Sequence, residues 1–166
     1  MENENKKYPI RKSTRLKEYD YSNNGYYFIT ICVQGMKCVL SSVENNKTKL
    51  NKYGLIVENN LHNLQKRFPC IELDYYVVMP NHIHIILILE NKQNERPVNI
   101  TEIIAALKSL TTIEIHKDGL KEFKWQRSFY DRIIRDEKEL YNIRKYIEQN
   151  PLKWDIEKNN PQNLEM

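Results

Sequence analysis

Two histidines one residue apart, His82 and His84, are the first pair in this 166-residue chain whose types and spacing suggest chemistry. Side chains two apart on a strand point to the same face, so a strand here presents two imidazoles side by side with Ile83 on the opposite face. Two neutral imidazoles at that spacing can share one metal ion. They could equally be two polar residues on a solvated sheet face. The pair follows the tight turn Pro80-Asn81 and starts a run that is otherwise almost wholly apolar, residues 85–89. Titratable groups beside such a run need compensation, which adds modest weight to the metal reading and leaves the other open.

A third ligand has to come from elsewhere, and the last helical segment offers one. Its apolar stripe is Leu140, Ile143 and Ile147. At 100° per residue, Tyr146 and Asn150 lie about 40° apart on one edge of that stripe, while Gln149 points nearly the opposite way. Tyr146 is otherwise an amphipathic residue at a core margin, and Asn150 a helix stop before Pro151. Because an imidazole must be neutral to bind a metal, activity through this pair is expected to fall below about pH 6.

The elements that must carry these residues follow from the hydrophobic pattern. Residues 26–33 form a continuous aromatic and β-branched run, the mark of a strand covered on both faces. A weak hairpin is expected around residues 39–50. Val57, Leu61, Leu64 and Phe68 recur at helical spacing, and His62 lies off that stripe on an exposed surface. Residues 73–79 and 82–90 are paired strands. Asn99 or Thr101 caps a helix carrying Ile100, Ile103, Ile104, Leu107 and Leu110, which Asp118-Gly119 ends. Residues 128–134 are a fourth strand. Asp136 caps a last helix that is expected to run to Asn150 and be stopped by Pro151.

This order predicts an α+β fold: a ferredoxin-like or RRM-like antiparallel sheet of split βαβ topology, with an extra C-terminal helix. The expected organisation is a basic N-terminal arm over residues 1–24, one domain over 25–154, and a polar, fraying tail over 155–166.

Composition sets the remaining bounds. The formal net charge of +4 is mild, but basic residues cluster. One cluster includes Arg11, Lys12, Arg15 and Lys17; a second includes Lys124, Arg127, Arg132 and Arg135. Both suit phosphate contacts and are the candidate nucleic-acid-binding residues, although a charge run can also be a solvated face. Tyr26, Tyr27, Tyr75 and Tyr130 could stack on bases, or simply pack in the sheet. No stretch is long and apolar enough for a membrane span, and the polar first residues predict no secretory signal. Three cysteines without zinc-type spacing fit a reduced, cytoplasmic setting, with Cys32 in the core. There is no Walker-type glycine loop and no cofactor-binding residue is assigned.

The motif Val77-Val78-Met79-Pro80-Asn81-His82-Ile83-His84 resembles the His-hydrophobic-His signature of the single-tyrosine (HUH) transposases of the insertion-sequence-two-hundred type. Trp125-Gln126-Arg127-Ser128-Phe129-Tyr130 with Ile133-Ile134-Arg135-Asp136 resembles their REP-associated branch. So does Tyr146-Ile147-Glu148-Gln149-Asn150-Pro151-Leu152-Lys153-Trp154. The resemblance runs from about residue 10 to 154, with the motifs in the family's order. It implies a single-stranded DNA endonuclease and strand transferase acting at hairpin or repeat sequences. It further implies Tyr146 as the nucleophile that forms a 5′-phosphotyrosine, and His82, His84 and Asn150 as metal ligands, making the extra helix catalytic.

Ligand softness alone suits manganese or zinc; the resemblance implies magnesium or manganese. Relatives commonly carry a histidine where this chain has Arg132, and some carry glutamine at the position of Asn150. The expected partner is single-stranded or hairpin DNA. Relatives can exchange the tyrosine helix within a dimer, so a homodimer is compatible. A non-catalytic RRM-like nucleic-acid-binding module and a replication-initiator-like nickase are the alternatives.

Overall fold

The computed structural model describes residues 15–158. The elements run β1 (Gly25–Cys32), a 3-10 turn (Gln34–Met36), β2 (Ser41–Glu44), β3 (Lys47–Leu50), α1 (Lys52–Arg67), β4 (Ile71–Val78), β5 (His82–Leu89), α2 (Ile100–Lys117), β6 (Tyr130–Ile134), α3 (Glu137–Glu148) and α4 (Asn150–Lys158). Four strands form one antiparallel sheet in the order β4-β5-β1-β6, and β2-β3 is a separate hairpin. This is the expected α+β, split βαβ arrangement.

The sheet divides the protein into two cores. Alternation in β1 sends Tyr27, Ile29 and Ile31 to one face, where they are fully buried with Ile83, Ile85, Leu87 and Leu89 of β5. Helices α1 and α2 cover that face with Val57, Leu61, Leu64, Ile103, Ile104 and Leu107. The opposite face is covered only in part. There α3 lays Ile143 and Ile147 on Ile86 and Ile134, with Leu140, Phe28 and Val77 at the margin. The stripe read from the sequence is therefore the contact face of α3.

Local chemistry fixes the helix ends. Asn51 accepts from the Tyr53 and Gly54 amides, Asn99 from the Thr101 amide, and Asp136 from the Glu139 amide, each satisfying donors the helix leaves unpaired. Gly54 sits where the first turn of α1 meets the Leu40 backbone. A Cβ there would lie 2.1 Å from the Leu40 carbonyl oxygen.

Two expectations are corrected. Pro151 does not stop the last helix; Gln149 is the C-cap of α3, and Pro151 lies in the first turn of α4, a place where its missing N–H costs nothing. Asp155 begins no fraying tail within the described residues. It is in α4, and its carboxylate accepts from the Asn46 amide at 3.0 Å, tying α4 to the β2–β3 hairpin.

A β-bulge interrupts β4 between Leu73 and Tyr75. The carboxylate of Asp74, at the bulge, pairs with the Arg144 guanidinium of α3, with Nε to Oδ2 at 2.8 Å and a second, shorter bond beside it. This two-pronged contact ties α3 to the sheet edge two residues before Tyr146.

Candidate active site

Pairing of β1 with β5 places Thr30 opposite His84 and Cys32 opposite His82. Both imidazoles therefore point to the face that α3 only partly covers. Their rings are 4.6 Å apart, and the two Nε2 atoms face each other at 3.1 Å. His82 Nδ1 donates to the Asn81 side-chain oxygen at 2.7 Å, while the Asn81 amide nitrogen is turned to the Met36 carbonyl at 3.4 Å. That leaves Nε2 of His82 with its lone pair aimed at His84. His84 Nδ1 lies 2.7 Å from the Thr30 hydroxyl.

Neither Asn81 nor Thr30 was singled out for chemistry from the sequence. Asn81 reads as a turn residue and Thr30 as one β-branched residue in a strand. The usable signal was strand register, because a residue opposite a ligand histidine can hold its far nitrogen.

Burial lowers both histidines, His82 to about 4 and His84 to about 3. For His82 the Asn150 side chain opposes that effect, and for His84 the neighbouring His82 adds to it. The imidazoles thus stay neutral well below the pH of about 6 expected from an ordinary histidine, because desolvation penalises the charged ring.

The geometry fits two donors of one cation. Nitrogens each about 2.1 Å from an ion and at right angles to one another are about 3.0 Å apart, close to the observed spacing. Among the described residues no three His, Cys, Asp or Glu side chains are grouped so as to hold a metal ion, and the third donor expected from the sequence is the amide of Asn150. Asn150 is buried and reaches His82, whereas Gln149 is exposed.

Tyr146 stands at the open side of this group. Its ring is 5.4 Å from His84 and edge-on to Phe28 at 6.1 Å, and the residue is 41% exposed. Trp154 lies 6.2 Å from the His82 ring, and the Lys153 ammonium 4.9 Å from the Tyr146 ring. Beside Tyr146 an open groove of about 580 Å³ runs past Phe28, Arg132, Glu139 and Asn142. Tyr146, His82, His84 and Asn150 are thus brought together by three elements of one chain.

The basic candidates scatter more widely. Arg11 and Lys12 lie outside the described residues. Arg15 is turned inward: it stacks on Phe129 at 3.6 Å, donates to the Phe129 carbonyl at 3.2 Å and pairs with buried Asp131 at 3.6 Å. Lys17, Lys124, Arg127 and Arg135 are exposed. Arg132, opposite Phe28, shares the sheet face of the histidines and pairs with Glu139. Among the stacking candidates, Tyr27 is fully buried and Tyr26 half-buried, while Tyr130 is 57% exposed on the histidine face, opposite Thr30.

Residues 24–150 match the family model described as transposase, IS200-like. The chain is 35% identical over 162 residues to an uncharacterized protein of Haemophilus influenzae, covering 87% of this chain and 90% of that protein. It is 27% identical over 144 residues to a second Haemophilus influenzae protein, provisionally named a REP-associated tyrosine transposase, covering 81% of this chain and 74% of that one. Among solved structures, the fold is similar to a REP-associated tyrosine transposase bound to a REP hairpin. The TM-score is 0.60 at 23% identity, over 84% of this chain and 73% of the other. A provisionally identified transposase of Deinococcus radiodurans matches with a TM-score of 0.52 at 19% identity, over 84% and 98%.

Proposed function

The chain belongs to the IS200-like transposase family, and from that premise we propose that it cleaves and rejoins single-stranded DNA through Tyr146. The observation that carries this reading is the placement of the Tyr146 ring 5.4 Å from His84, whose Nε2 faces that of His82 at 3.1 Å. A nucleophile thus stands beside two neutral donors able to hold a divalent ion.

The phenol oxygen of Tyr146 attacks phosphorus, a P–O bond to the tyrosine forms, and the bond to the 3′-oxygen breaks. The phenol gives up its proton to solvent and the departing 3′-oxygen takes one. Rejoining is the same step reversed, and the covalent link conserves the energy of the broken bond. His82, His84 and Asn150 would hold magnesium or manganese, which when bound polarises the scissile phosphate and offsets its developing charge. Asn81 and Thr30 fix the far nitrogens of the two rings, and Phe28 sets the edge of the Tyr146 ring.

The substrate follows from access. The metal face is open beside the groove, so the phosphate has to arrive on a strand free to enter it. Hairpin DNA is the proposed form, supported by the structural likeness to a transposase solved with a REP hairpin. Exposed Lys17, Lys124, Arg127 and Arg135 would contact its backbone, and Arg132 the groove. This reading has Tyr146 acting beside its own subunit's histidines. A helix exchanged within a homodimer is the other arrangement. No helix among the described residues is long and apolar enough to cross a membrane, and a cytoplasmic enzyme working on DNA is the setting proposed.

The test is direct. Labelled single-stranded hairpin DNA incubated with the protein and manganese should give a covalent adduct that withstands denaturation. DNA binding without any adduct would sink the enzyme reading in favour of a binding module.

A further inference from the structure

Helix α4 opens at the site, and its first five residues send three side chains back toward it. Asn150 reaches His82, Trp154 lies against the His82 ring, and Lys153 places its ammonium 4.9 Å from the centre of the Tyr146 ring. The charges of Arg15, Arg132 and Arg144 are each matched by a carboxylate on the protein. Among the described residues no carboxylate lies within 4.0 Å of the Lys153 ammonium. Lys153 is exposed, and Tyr146 is 41% exposed. A cation without a carboxylate partner, held over a ring that lines an open groove, is placed to meet an anion arriving at that ring's hydroxyl.

We propose that Lys153 is a phosphate-binding residue of the reaction: its ammonium meets the non-bridging oxygens of the phosphodiester that Tyr146 attacks. The assignment rests on Tyr146 being the nucleophile. The bond made is Tyr146 oxygen to phosphorus and the bond broken is phosphorus to the 3′-oxygen; Lys153 transfers no proton and stays an ammonium throughout. Its charge lies on the α4 side of the ring, while His82 and His84 approach from the sheet. A lysine suits this place because a compact cation on a flexible stem can follow the phosphate from DNA to tyrosine. Since the same contact serves attack and reversal, its loss slows cleavage and rejoining together.

The test separates a phosphate contact from a packing role. Y146F retains the ring and cannot react, so DNA affinity can be measured on it without turnover. The probe is a cleaved hairpin sequence, identified with the unaltered chain, carrying either the natural phosphodiester or a neutral methylphosphonate at the scissile position. Adding K153Q to Y146F should weaken binding of the phosphodiester about fivefold and leave the methylphosphonate nearly unchanged. Equal losses on both probes, or none on either, overturn the proposal.

In the reactive protein, K153R should form adduct within about threefold of the unaltered rate, while K153M should be slower by about tenfold or more. A K153M protein as fast as the original overturns it too. An adduct that survives Y146F sinks the nucleophile assignment and this proposal with it. A Y146F-sensitive adduct with equal losses on the two probes removes Lys153 alone.

Discussion

The Thr30 hydroxyl lies 2.7 Å from Nδ1 of His84, on the neighbouring strand and in direct register with it. A hydroxyl can donate or accept, so this one contact serves either tautomer of the ring. Without a cation, Nε2 of His84 can donate to the lone pair of His82. To offer both Nε2 lone pairs to one ion, His84 must carry its hydrogen on Nδ1, where Thr30 then accepts it. Thr30→Val should therefore leave the fold intact but weaken manganese binding by about tenfold or more. Calorimetric titration with manganese checks this, and unchanged affinity would count against the metal role of His84.

The depressed histidines give the metal-free protein a defined acid response. Folded His82 and His84 titrate near 4 and 3, whereas unfolded histidine titrates near 6.5. As pH falls below about 6.5, the unfolded chain takes up protons that the folded one refuses. Stability is thus complete above that pH and declines toward pH 4, each histidine withdrawing about 2 kcal/mol by about pH 5. Urea midpoints measured in chelator from pH 8 to 5 should fall accordingly. The double variant His82→Gln with His84→Gln should show a flatter profile.

Tyr146→Phe should abolish the covalent adduct while hairpin affinity changes by no more than about twofold. Tyr141→Phe and Tyr130→Phe, at exposed positions whose rings make no contact with the His84 ring, are the controls and should still form it. Denaturing gels of labelled DNA decide the matter. Loss of the adduct in either control and not in Tyr146→Phe would move the nucleophile.

Asn150→Ala should lower manganese affinity about ten- to a hundredfold, and Gln149→Ala should change it little. The two residues are adjacent in sequence, yet one is buried at His82 and the other faces water. Equal effects in the titration would refute the facial distinction.

Two structural contacts have consequences for stability and alignment. Gly54→Ala forces a Cβ into the Leu40 carbonyl and should cost about 2 kcal/mol or more, read as a thermal midpoint lower by several degrees. Asp74→Asn removes the charge that anchors Arg144, a half-exposed pair worth about 1 kcal/mol. Its main effect should appear in adduct rate, since the pair holds the helix that carries Tyr146.

Much of this arrangement was legible in the sequence because it depends on period. Alternation alone put His82 and His84 on the face away from Ile83, and helical spacing put Asn150 and not Gln149 on the Tyr146 side. That second inference survives the break between α3 and α4, because Gln149 keeps a near-helical φ of −85° and ψ of −5°. The break itself was misread: a proline after an apolar stripe reads as a stop, yet it equally suits the first turn of a new helix. Contacts that depend on register between distant strands were not legible. Thr30 is one β-branched residue among several until β1 is paired with β5. Nothing local marks Asp74 as the site of a bulge. The depth of the histidines' depression was not legible for a similar reason, since an imidazole's pKa follows from burial that no short motif encodes.

Trp154, against the His82 ring at the start of α4, makes the site its own spectroscopic gauge. The chain has one other tryptophan, Trp125, which is buried under α2 and donates to Thr111. Paramagnetic manganese at the histidines would quench the indole of Trp154, which lies against the His82 ring, more than that of Trp125, which is held in the core on the other face of the sheet. The emission would then split into a metal-responsive half and an internal reference. Occupancy of the centre could be followed in real time, with neither DNA nor label.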